Sequence, residues 1–164
     1  MVGKKVLTRK NTPTNELQRP IVSVIKGVKI TYNEVYYLDC DVNEDTGMID
    51  KDVLVEYYTK EQATRNIKSM KSAYLIAKGA ASPSEIISFR KKYQIAASVL
   101  SVILGYNKNT ISNIENDGIA SLPSGRFIKV CINNTTLLSE YIKTCPSLEV
   151  KKKNELLERL TTEA

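Results

Sequence analysis

The residues best suited to chemistry lie in one short stretch, GYNKNTISNIENDG at 105–118. Ile111 and Ile114 are three apart, the spacing of one buried helix face. Around them stand Asn107, Lys108, Asn109, Thr110 and Asn113. Lysine donates to guanine, asparagine matches the paired donor and acceptor of adenine, and threonine offers a hydroxyl and a methyl. Such side chains on the outer side of a short helix suit the base edges of a DNA groove. Gly105 fits a turn with positive φ, and Asn107 fits an N-cap. The apolar run before the turn, IAASVLSVILG, carries few of the polar residues that would hold such a helix to phosphates. Lys91, Lys92, Arg126 and Lys129 are the cations expected to do so instead.

Other chemistries have little support in the residue inventory. The chain has no histidine, which removes the commonest metal ligand and the usual general base. Cys40, Cys131 and Cys145 are widely spaced and form no CxxC pair, so neither a disulfide framework nor a cysteine zinc site is expected. Asp39, Asp41, Glu44 and Asp45 cluster around Cys40 but lack the ligand spacing of a calcium loop, and read as a solvated acidic loop. No Gly-rich phosphate loop is present. The expectation is a protein that is not an enzyme and has no cofactor.

These residues need a scaffold, and the 164-residue chain supplies one of ordinary size. Charged residues make up 26% and hydrophobic residues 42%, in keeping with a globular rather than a disordered chain. No apolar run approaches membrane-spanning length and no signal peptide is visible, so a cytoplasmic location with no membrane partner is expected. The net charge of +6 is uneven. Residues 1–20 carry Lys4, Lys5, Arg9, Lys10 and Arg19 against Glu16, whereas residues 21–72 have seven basic and nine acidic side chains. The acidic middle is not expected to lie on DNA.

Residues 1–20 read as a flexible basic arm. IVSVI, Lys26-Gly27 and VKITY read as a tight hairpin, with EVYYLDCDV as a third strand. Val24, Ile30, Tyr32, Tyr36 and Tyr37 are expected to hold this sheet together. After NEDTG, Asp50 is placed to cap a helix, or two abutting helices, running from Lys51 to about Lys78 on the spacing of Val53, Leu54, Tyr57, Tyr58, Ile67, Met70, Tyr74 and Leu75. Gly79 then stops the chain, and Ser82-Pro83-Ser84-Glu85 carries the signature of a capping box. Further helices follow at about 96–104, from Asn107 or Lys108 to Glu115, in PSGRFIKVCIN, and in TTLLSEYIK, with a last amphipathic one around Leu156, Leu157 and Leu160. The fold class is α+β: a β-hairpin and helix module at 21–78, a helical domain at 79–145 and a helical tail at 146–164.

The segment SPSEIISFRKKYQIAASVLSVILGYNKNTISNIENDGIASLPS resembles the Xre-type helix-turn-helix of MqsA/HigA-type antitoxins and related repressors. EIISFRKKY matches the opening helix, and LGYNKNTISNIEN the turn and recognition helix. The strand-and-helix region upstream is similar to that group's N-terminal module, so the resemblance spans roughly residues 27–135. It implies a dimeric repressor of its own operon that binds a palindromic double-stranded DNA operator, with a toxin as a protein partner. Carried onto this chain, the recognition positions are Asn107, Lys108, Asn109, Thr110 and Asn113.

Two departures stand out. The group's N-terminal module binds zinc through two CxxC pairs, and only Cys40 stands in that region. Its second helix opens with Ser-Gln, where this chain has Ala96 and Ala97. The alternative reading follows from the second departure. Ala96, Ala97, Val99 and Val102 would form an exposed apolar patch, and the protein would be a phage or mobile-element product that binds a repressor, toxin or defence enzyme rather than DNA. The same residues could instead pack beneath the C-terminal tail.

Overall fold

A computed structural model describes residues 4–43 and 45–162. It is a mixed α+β structure with a two-stranded and a three-stranded antiparallel sheet and, among the described residues, seven helices. The chain divides into two compact units, Met1–Ala73 and Tyr74–Ala164. No helix among the described residues is long and apolar enough to cross a membrane.

The first unit is built from β1 (Lys5–Leu7), β2 (Pro13–Asn15), β3 (Leu17–Ile25), β4 (Val28–Val42) and β5 (Ile49–Tyr57), followed by most of α1 (Lys60–Ala77). β1 pairs with β2, and the larger sheet runs β3-β4-β5. The Lys26-Gly27 hairpin forms as expected. Both residues have positive φ (48° and 78°), the turn geometry that matches strand twist, and Ile25 faces Val28 across it. EVYYLDCDV is the second half of β4 rather than a separate strand.

Three expectations for this unit are corrected. Residues 5–20 are not a free arm. The Thr8 hydroxyl accepts from the N–H groups of Lys10 and Thr12 at 3.3 and 3.2 Å, and Asn11 takes φ 58° to complete a tight loop between β1 and β2. Arg9 then lies over the Tyr57 ring at 4.1 Å and donates to its hydroxyl at 2.8 Å. Pro20 is tolerated because β3 is an edge strand, where a missing N–H is not needed on the outer side.

Residues 49–57 are a strand, not a helix. The spacing of Val53, Leu54, Tyr57 and Tyr58 fits a helix, but Val53, Val55 and Tyr57 also alternate. Pairing with β4 from Tyr37↔Tyr57 to Val42↔Ile49 decides between them. Asp50 caps no helix; its carboxylate accepts from the Asp52 N–H within β5. The helix begins after Thr59, whose hydroxyl accepts from Gln62 N–H at 3.1 Å while the Gln62 side chain accepts from Thr59 N–H at 3.0 Å. This is a capping box in the sequence Thr-Lys-Glu-Gln.

Hairpin packing also differs in part. Ile30 and Tyr37 are buried and Tyr32 and Tyr36 half-buried, but Val24 is 67% exposed. Polar links also join the strands to one another and to α1. Arg19 makes a two-point bond to Glu56 and a third contact to Glu34, and Asn66 donates to and accepts from the Val35 backbone at 2.9 and 2.8 Å.

The second unit holds α2 (Pro83–Lys92), α3 (Ala97–Ile103), α4 (Thr110–Asp117), α5 (Leu122–Ile132), α6 (Thr135–Thr144) and α7 (Val150–Thr161). Ile86, Leu100, Ile111, Ile128, Leu138, Ile142, Leu156 and Leu160 are almost wholly buried in one core. α7 is therefore part of this core and not an appended tail. The Ser82–Glu85 capping box forms with both of its bonds, at 3.2 and 2.8 Å. Gly125 permits a close approach, since a Cβ there would lie 2.5 Å from that of Ala80, and its carbonyl accepts from Ala81 N–H at 2.9 Å.

Candidate functional site

α3 and α4 are joined by a tight turn centred on Gly105, whose φ of 78° closes the first helix without strain. The turn is held by Tyr106 N–H donating to the Ser101 carbonyl at 2.9 Å. α4 buries Ile111 and Ile114 inward, as their spacing requires. Asn107, Lys108, Asn109 and Asn113 are exposed together at its start and on its outer face, and Thr110 is half-buried.

The helix start differs from expectation. Asn109, not Asn107, is the N-cap residue, and its side chain makes no capping bond. Asn107 serves through its carbonyl, which accepts from Thr110 N–H at 2.9 Å. The free N–H of Ile111, one of the donors a capping side chain normally takes, is met by the hydroxyl of Ser101 at 3.0 Å. Ser101 is fully buried on α3 and donates onward to the Ala97 carbonyl at 2.9 Å. The cap of α4 thus comes from α3, and the Asn109 carboxamide is left facing solvent.

A second tie comes from α2. The Arg90 guanidinium forms a two-point bond with the Glu115 carboxylate, at 2.6 and 2.7 Å, and also donates to the Ile95 carbonyl at 3.1 Å. Both charged ends are largely buried, with 21% and 12% of their side chains exposed. The bonds that Arg90 donates to Glu115 raise its pKa despite the opposing effect of burial, so the guanidinium stays charged. α4 is therefore clamped near its start by Ser101 and near its end by Arg90.

The expected phosphate-contacting cations fare unequally. Lys91 and Lys92 are exposed at the end of α2, with the Lys92 ammonium 4.9 Å from the Tyr93 ring centre. Arg126 is exposed on α5. Lys129 is not open as expected. It is ion-paired with Glu85, because the capping residue of α2 faces α5 at this point. The Lys129 bond, followed by that from Ser82 N–H, holds the Glu85 carboxyl below its usual range.

The exposed apolar patch on α3 is also corrected. Ala96 is exposed, but Ala97, Val99 and Val102 are half-buried. Ala97 and Val99 pack against the core, and the Val102 carbonyl accepts from Cys145 Sγ at 3.8 Å.

Four residues of the site escaped the sequence reading, among them Arg90 and Glu115, whose bond joins positions 25 apart. Ser101 was hidden inside an apolar run, and only its neighbours in space reveal its role. Asn116 is exposed on α4, and its signal was available: Asn109, Asn113 and Asn116 are spaced four and three apart, on one face.

Asp39 and Asp41 lie half-buried on β4 rather than in the solvated acidic loop expected around Cys40. Asp39 and Asp41 each accept from the next residue's N–H, at 2.8 and 2.9 Å. Among the described residues no group of three or more acidic or cysteine side chains is placed to hold a metal, and Glu44 lies outside those residues.

No protein-family model, curated protein or solved structure matches the chain.

Proposed function

We propose that this chain is a sequence-specific DNA-binding repressor, an autoregulator of antitoxin type, with α3 and α4 as an Xre-like helix-turn-helix. The observation that carries the reading is α4 itself. Its apolar side is buried, its polar side is exposed, and two bonds to neighbouring helices fix its orientation. A recognition helix must be held rigidly while presenting donors and acceptors outward, and this arrangement meets both needs. Lys91 and Arg126 are exposed cations on α2 and α5 that suit phosphate contacts. Ala97, Val99 and Val102 are half-buried, so the protein-binding alternative has less apolar surface to rest on than the sequence suggests.

One α4 helix spans only a half-site, so the reading includes a two-fold dimer on a palindromic operator. The test is a titration of the purified protein against the DNA upstream of its own reading frame and a scrambled duplex, at two salt concentrations. Tight binding to the upstream DNA with an inverted-repeat footprint is expected. Equal, weak binding to both duplexes that vanishes with salt would sink the proposal.

A further inference from the structure

We infer that the half-site read by α4 is led by adenines; this rests on the DNA-binding reading above and specifies its ligand. Asn109, Asn113 and Asn116 are all exposed and fall on the face of α4 opposite Ile111 and Ile114. None is needed to hold the helix, since Ser101 meets the Ile111 N–H and Asn109 makes no side-chain cap.

Each carboxamide carries one acceptor oxygen and one donor nitrogen side by side. In the major groove adenine presents the matching pair, the N6 donor beside the N7 acceptor. Guanine presents two acceptors, O6 and N7, of which a carboxamide satisfies only one. A two-point guanine contact needs an arginine or lysine. Residues 105–118 contain no arginine, and Lys108 is their sole cation. Of the flanking arginines, Arg90 has its guanidinium committed to Glu115 and the Ile95 carbonyl, and Arg126, the nearer in sequence, stands on α5 and not on the face of α4. The face therefore offers three adenine-matching groups against one guanine-matching group.

Selection of the full-length protein on a random duplex library tests this. Adenine is expected at two or more positions of each half-site. Asn113→Ala and Asn116→Ala should each flatten one adenine column, a loss of preference of about 5- to 150-fold. Circular dichroism and salt-dependent binding to unrelated DNA should stay unchanged. Replacing adenine by 7-deazaadenine at the affected position should weaken the wild type and leave the matching variant indifferent. A consensus led by guanine, or variants that both select the wild-type consensus, would overturn the adenine readout while leaving DNA binding intact. A library with no enrichment at all would overturn the DNA-binding reading and the inference with it.

Discussion

The hydroxyl of Ser101 on α3 caps α4 by accepting from the N–H of Ile111 at 3.0 Å. One buried oxygen thereby joins two helices that the sequence treats as separate, and frees the polar start of α4 for other contacts.

Ser101→Ala removes that acceptor and leaves a buried N–H unpaired. A destabilisation of about 1–3 kcal/mol is expected, measured as a lower urea midpoint at unchanged slope. On the DNA-binding reading, affinity for DNA is expected to fall together with stability, since α4 loses the bond that fixes its start. An unchanged midpoint would show that the bond contributes nothing.

Arg90→Lys keeps the charge but cannot reproduce the two-point bond to Glu115 while also reaching the Ile95 carbonyl. It should cost about 1.5–3 kcal/mol, the range for hydrogen bonds to charged groups. A double-mutant cycle with Glu115→Gln should return a coupling of about 0.5–3 kcal/mol. Strict additivity of the two substitutions would refute the clamp.

Stability should decline on the acid side through Glu85 and Glu16. The Lys129 bond lowers the Glu85 pKa. Burial alone would raise that of Glu16, but hydrogen bonds from Arg65 and Gln62 and the charges of Arg65 and Lys4 outweigh it, and it too ends lowered. A carboxyl lowered in the folded state contributes stability that is present above its unfolded value, about 4.3 for glutamate, and is lost as pH falls through the folded value. Glu85→Gln should therefore flatten part of the decline in melting temperature below pH 5, by a small amount because this pair is partly exposed. A variant that follows the wild-type acid limb throughout would exclude the pair as its source.

Much of the fold was legible where a few adjacent residues decide the outcome. Ser82 and Glu85 form their capping box, Lys26-Gly27 turns a hairpin, and Gly105 closes a helix, because each depends on dihedral preferences and groups within one turn. The capping box at Thr59 and Gln62 was equally local, yet helical spacing further upstream masked it. Residues 49–57 illustrate the opposite case. Their apolar spacing fits a helix and a strand alike, and pairing with β4 selects the strand.

The candidate site divides along the same line. The sequence by itself determined that α4 buries Ile111 and Ile114 and turns asparagines outward, since helical periodicity fixes which residues share a face. Only the tertiary structure decided that Ser101 caps α4, that Arg90 clamps it through Glu115, that Glu85 engages Lys129, and that α3 is half-covered. Each of those facts joins residues from 10 to 44 positions apart, or depends on which neighbouring helix covers a face. Hydrogen bonds and burial at such separations are set by packing in space, which no local pattern of residue types encodes.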